Sequence, residues 1–164
     1  MDVKEFATDM MGFAKAAAKS FASNQGDFIP TFVVLRDGGI MPTPFPYYTR
    51  DREFHIGMMK SIIAGTEAEA YAFIMEAWFV TPKLDKSKPV DPSNYEQPSK
   101  SADRKECLVV QAGSRDGQET VLFVEIKRHG HKLTFDKIVD MTAKEEGKSA
   151  MCIISNLFGT ETVN

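Results

Sequence analysis

The stretch "KECLVVQAGSRDGQETVLFVEIKR", residues 105–128, places Asp116-Gly117 between two runs rich in Val, Leu and Ile, and no other stretch restricts the fold as much. Asp-Gly tolerates the positive φ angles that tight hairpin loops need, so the two runs are expected to pair as antiparallel strands. The loop length then decides which side chains share a face. A turn about Arg115 and Asp116 puts Glu106 opposite Glu125. A three-residue loop Arg115-Asp116-Gly117, with glycine in the bulge position, shifts the parity and turns Glu106 away. "HKLTFDKIV" adds a short strand after a turn at Gly130.

Upstream, Val3, Phe6, Met10, Phe13, Ala17 and Phe21 recur at helical spacing, which predicts an amphipathic first helix ending near Asn24 to Gly26. "TFVVLRDGGIMPTPFPYY" reads as a hairpin about Asp37-Gly38-Gly39. Its second arm carries Pro42, Pro44 and Pro46, and proline confines it to a sheet edge or a polyproline-type extension. Phe54, Met58 and Ile62, with Met59 and Ile63, predict a helix over about 50–64, capped by Thr49 or Asp51 and stopped by Gly65. "YAFIMEAWFV" has one charge in ten residues, and a central strand over about 70–80 accommodates it better than a helix apolar all round. Residues 81–104 hold four prolines and almost no aliphatic residue, which predicts a long Pro-rich loop. "SAMCIISNLFG" has helical spacing up to Gly159 and predicts a short C-terminal helix.

Helix, hairpin, helix and then a run of strands lacks the alternation of a parallel sheet. The expectation is an α+β domain: a mostly antiparallel sheet of about five or six strands with an N-terminal, a middle and a short C-terminal helix. At 164 residues the chain fits a single domain, 1–164, able to bury a core without disulfides or metals. Hydrophobic residues at 43% and charged residues at 26% are ordinary for globular proteins, and a net charge of −3 implies neither nucleic acid nor an acidic ligand for the whole molecule. No segment reaches the roughly 18 apolar residues of a membrane span, and the N-terminus has no signal-type apolar run. Cys107 and Cys152 lie in apolar stretches, as buried free thiols do, so a cytoplasmic location is expected.

The triplet Glu125-Ile126-Lys127 is similar to the acid-x-lysine element of the PD-(D/E)xK nucleases. There, acids on neighbouring strands hold a divalent cation and the lysine orients water or stabilises charge at the phosphate. The resemblance covers these residues together with Glu106 on the preceding strand, and the family's Pro-Asp pair is missing. It implies a Mg²⁺- or Mn²⁺-dependent nuclease or phosphodiesterase with Glu106, Glu125 and Lys127 as catalytic residues. The competing reading is a set of cross-strand ion pairs among Arg104, Glu106, Glu125 and Lys127 at a solvated sheet end, with no cofactor.

His129 and His131 form an HxH suited to a transition metal, if a third ligand such as Asp136, Asp140 or His55 joins them and Gly130 does not turn the chain. Lys100, Arg104, Lys105, Lys127, Arg128 and Lys132 converge if the hairpin forms. They make a basic end that offers phosphate or nucleic acid a charge-based site, with Lys105, Arg128 and Lys132 as its binding residues. Pro42 to Tyr48 presents prolines and the aromatics Tyr47 and Tyr48, a surface of the kind protein partners bind. Glu76, inside the apolar strand beside Trp78, needs a cation, with Arg36, Arg50 or Arg52 as donors. No Gly-rich phosphate loop and no Ser-His-Asp arrangement is present. The sequence thus points first to a small non-enzymatic binding or interaction module with a protein partner or a second copy of itself, and second to the metal-dependent phosphodiesterase.

Overall fold

The computed structural model describes residues 1–48, 50–80, 100, 102–142 and 157. In chain order these form α1 (Val3–Ser23), β1 (Thr31–Arg36), β2 (Gly39–Pro44), α2 (Arg52–Thr66), β3 (Ala70–Phe79), β4 (Lys105–Ser114), β5 (Glu119–His129), β6 (Lys132–Phe135) and β7 (Val139–Asp140). Among the described residues the sheet has seven strands in the order β2-β1-β3-β4-β5-β6, and β7 joins the β6 side of β5. All described pairings are antiparallel. The α+β class and the mostly antiparallel sheet agree with the sequence. The expected C-terminal helix and most of the 81–104 loop lie outside the described residues, as does Cys152. No described helix is long and apolar enough to cross a membrane.

The strand over residues 70–79 explains its own composition. Ala70, Ala72 and Ile74 point to the α1 side, while Tyr71 and Phe73 point to the α2 side, so both faces are buried over residues 70–74, whereas Glu76 is half-buried and Trp78 exposed. A central strand of this kind has no polar face to display.

Helix α1 begins at the Asp2 cap, whose carboxylate accepts from Lys4 N at 2.8 Å. It ends in a Schellman turn with Gln25 at φ 58, where Gly26 N donates to Phe21 O and Gln25 N to Ala22 O. Val3, Phe6 and Met10 of the expected row are buried, and the row departs from the expected one beyond them. Phe13 is exposed, and Ala14, Ala18 and Ala22 face the sheet instead. Small residues there meet Ala70, Ala72 and Ala112 on the sheet and let the helix axis approach closely. A row of phenylalanines would hold it off.

Helix α2 lies on the opposite face. Asp51 caps it, accepting from Phe54 N at 3.2 Å. The helix runs past Gly65 and ends with Glu67 in the left-handed region, so Gly65 is not its stop. It buries His55, Met59 and Ile63 against Phe32, Val34, Phe45, Tyr48 and Phe73, with Leu157 in the same cluster.

The β1–β2 loop has φ of 50 at Asp37 and 73 at Gly38, the primed turn that Asp-Gly favours. Phe45 N donates to Pro30 O at 2.7 Å, which continues the bonding of alternate positions along β2. Pro42 and Pro44 fall on the intervening positions, whose nitrogens point outward. The prolines therefore cost no ladder bond and close this edge to a further strand.

Candidate functional site

The β4–β5 turn sets the geometry of the sheet end. Ser114 N donates to Gln118 O at 2.9 Å, Gly117 N donates to Ser114 O at 3.0 Å, and Gly117 has φ +86. This is the three-residue loop with a glycine bulge. Its register pairs Glu106 with Ile126 and Cys107 with Glu125. Glu106 therefore shares a face with Ile126 and Arg128, while Glu125 and Lys127 are on the other face. The arrangement that the nuclease resemblance requires, with all three on one side, is not formed.

On the α2 side, Lys105 Nζ lies 3.4 Å from Glu125 Oε2 and Lys127 Nζ lies 2.9 Å from Asp136 Oδ1. The Asp136 bond raises the Lys127 pKa above its usual value and holds the ammonium charged in this ion pair. Cys107 is buried beneath this end, its thiol pushed up to about 12 by desolvation.

The α1 side carries a denser constellation. Arg128 donates from Nε to Glu106 and from Nη2 to both oxygens of Glu76 at 3.2 and 3.3 Å, so one guanidinium serves two carboxylates. Arg128, not Arg36, Arg50 or Arg52, is thus the partner of Glu76. The β1–β3 register ends at Thr31 opposite Ile74, so β1 does not reach Glu76. Arg36 instead donates to Thr66 O at 3.0 Å, and Arg50 stacks on Tyr47. Burial raises the Glu76 pKa; the charge of Arg128 pulls it down, and that of Glu106 pushes it up again. Next to them Trp78 pairs with Glu106 across the ladder and remains 45% exposed, with the Arg104 guanidinium 4.3 Å from its ring centroid. Glu76, Ala77, Trp78 and Glu106 line a hollow of about 330 Å³.

A second surface lies on the outside of α2. Phe54 is 60% and Met58 37% exposed, and both line, with Glu53, Gly57, Ser61 and Ile62, a shallow hollow of about 590 Å³. The helical spacing names two apolar rows, Phe54-Met58-Ile62 and Met59-Ile63; the core takes Met59 and Ile63 together with His55, Ile62 packs against it, and Phe54 and Met58 stay outside. Periodicity alone does not choose between two adjacent apolar rows.

No family model, no curated protein and no solved structure matches the chain. The geometry therefore carries the functional argument alone.

The remaining candidate residues fall as follows. Gly130 has φ +62 and occupies, with His131, a two-residue loop between the paired His129 and Lys132. This matches a type II′ turn, so His129 ends a strand and His131 sits at a turn tip. Among the described residues no group of three His, Cys, Asp or Glu is placed to hold a metal ion. The basic end is not a field of unpaired cations: Lys105 and Lys127 have carboxylate partners and Arg128 has two. Lys132 is exposed at the start of β6. Tyr47 is exposed, but Tyr48 is buried with its ring 4.7 Å from Phe73. The turn closed by Tyr48 N donating to Phe45 O turns residues 45 and 48 inward and residue 47 outward.

Proposed function

We propose that the chain is a non-enzymatic interaction module that associates with a second copy of itself through the outer face of α2. The observation that carries this reading is Gly57. Glycine inside a helix costs roughly 0.5–1 kcal/mol relative to alanine, yet a Cβ placed on Gly57 meets no described atom within 4 Å. The same holds of the helical glycines Gly12 and Gly65, but Gly57 lies in the hollow lined by Phe54 and Met58. Beside it stand exposed Phe54 and Met58, large apolar groups that ordinarily mark a contact surface when they cluster.

The two rows complement each other. Phe54, Met58 and Ile62 form a ridge, and Glu53, Gly57 and Ser61 form the adjacent row, shallow at Gly57 and Ser61. When i±4 ridges of two helices interdigitate, each ridge enters the other's groove at a crossing angle near −50°. About a twofold axis the Phe54–Met58 ridge of each copy enters the Gly57–Ser61 groove of the other, a self-complementary contact. A net charge of only −3 offers little repulsion between copies. The separation of Glu106 from Glu125 and Lys127 supports the non-enzymatic part of the reading.

Sedimentation velocity from about 1 to 100 µM, the range that brackets micromolar association, tests it. The wild type is expected to show a reversible monomer–dimer equilibrium that Phe54→Glu abolishes. Phe13→Glu, on the exposed side of α1, leaves it unchanged. A wild type that stays monomeric throughout, or a Phe54→Glu variant that associates as the wild type does, refutes the reading.

A further inference from the structure

We propose that the hollow bounded by Glu76, Trp78 and Glu106 binds a cationic side chain, the guanidinium of an arginine or the ammonium of a lysine, presented by a peptide or protein partner. Three observations carry the assignment. The register sets Trp78 directly across from Glu106, and Glu76, two residues along β3, shares their face. An exposed indole and two carboxylates therefore bound one space of about 330 Å³. An aromatic face with carboxylates at its rim is the chemistry that recognises organic cations.

The charge balance within the hollow points the same way. Among the described residues Glu76 and Glu106 share the guanidinium of Arg128. Burial still raises the Glu76 pKa, with Glu106 and Asp27 adding to the push, so its charge is under-compensated. A second cation relieves that deficit, whereas a phosphate would face two carboxylates. Finally, the chain itself lays a guanidinium on the indole, that of Arg104 at 4.3 Å from the ring centroid. The ring is thus already used as a cation platform, and an incoming arginine competes with Arg104 for it.

This site faces the α1 side of the sheet and the α2 ridge faces the other. Its test therefore runs equally well on the Phe54→Glu variant, and failure of one reading leaves the other standing. Trp78 is the sole tryptophan, so its fluorescence reports on the hollow directly. The probe is Nα-acetyl-arginine amide, with Nα-acetyl-citrulline amide as the neutral isostere and NaCl matched for ionic strength. The expected result is a saturable change in emission with the arginine probe, with binding at least about tenfold weaker, one decade in Kd, for citrulline and for Glu76→Gln/Glu106→Gln. Arg104→Ala is expected to tighten binding several-fold by removing the internal competitor.

A change that is linear and equal for arginine and citrulline overturns the proposal. So does undiminished affinity in the double carboxylate variant, or weaker binding in Arg104→Ala. Should the double variant fail to fold, as judged by circular dichroism, the single Glu106→Gln variant carries the same comparison. Trp78→Leu, read by calorimetry, is then expected to lose binding of the arginine probe, and full retention there also overturns the assignment.

Discussion

Gly57→Ala separates what the folded monomer wants from what the proposed dimer wants, because the two predictions have opposite signs. In the monomer the new methyl group meets no described atom within 4 Å. The substitution should therefore return the helix-propensity difference, about 0.5–1 kcal/mol in favour of the variant. For a domain of this size that is a rise in Tm of about 1–4 °C. In the dimer the same methyl occupies the groove that receives Phe54 of the other copy. Overpacking a fitted contact costs about 1–3 kcal/mol, a weakening of about 5- to 150-fold in Kd. Because self-association stabilises the folded state by mass action, the order of the two proteins depends on concentration. The variant melts above the wild type in dilute solution, and its advantage shrinks or reverses as the wild type associates. Thermal melts across a concentration series, paired with sedimentation velocity, read both quantities. Gly12→Ala is the control. Gly12 also has no described atom within 4 Å of a built Cβ, but it lies on α1, so the gain in stability should come without any effect on association. A Gly57→Ala protein that is less stable when dilute would show that the chain itself needs the glycine. One that is more stable yet associates like the wild type would remove the reason for the ridge-in-groove dimer.

Three further outcomes follow from the packing and the charges. A Cβ on Gly113 would lie 2.7 Å from the buried ring of Tyr71, so Gly113→Ala should cost about 1–3 kcal/mol in urea unfolding. The cost should vanish in a Tyr71→Ala background, and an equal cost in both would refute the clash. Arg128→Met strands Glu76 against Glu106; discounting for their partial exposure, about 1–2 kcal/mol should be lost. Adding Glu76→Gln should recover most of it, and a double-mutant cycle without coupling would contradict the shared guanidinium. Hydrogen bonds from Lys4 and Thr142 hold the Asp140 carboxyl down at about 2, against 3.8 ordinarily. Its folded pKa is the lower one, so the stabilisation is present above about pH 4 and is lost as pH falls toward 2. Lys4→Met should flatten that part of the acid limb, and identical limbs for the two proteins would count against the Lys4–Asp140 bridge.

Much of the architecture was legible because it is written locally. Asp37-Gly38 and Asp116-Gly117 both sit in hairpin loops, and the prolines of β2 sit where an edge strand tolerates them. The apolar run of β3 is a central strand with both faces covered over residues 70–74. What a period does not carry is the choice between adjacent apolar rows. On α1 the expected row is buried at Val3, Phe6 and Met10, but beyond them Phe13 gives way to Ala14, Ala18 and Ala22, because the alanine-rich floor of the sheet favours close approach over side-chain size. On α2 the row containing His55 and Met59 went inward, leaving Phe54 and Met58 outside. The signal for that outcome was present in Gly57 and Ser61, two small residues beside the outward row, but small residues in a helix also have many other causes.

The candidate site was less legible, and the reason lies in one loop. Asp-Gly supports loops of two and of three residues, which differ by one position in register, and one position exchanges the faces of every following side chain. Gly117 at φ +86 selects the longer loop. Glu125 and Lys127, adjacent in sequence and suggestive as a motif, then join Lys105 and Asp136 in pairs on the α2 side. Glu106 joins Arg128 from 22 residues away, and Arg128 reaches Glu76 from 52 away. The constellation around the hollow is thus assembled from three strands by the ladder, with the neighbouring Arg104 laid on Trp78. The Glu125-Ile126-Lys127 motif is held in ion pairs on the other face. At a sheet end the residues that meet are set by register and not by proximity in the chain, so the glycine that fixes the register is the residue on which the identity of the site turns.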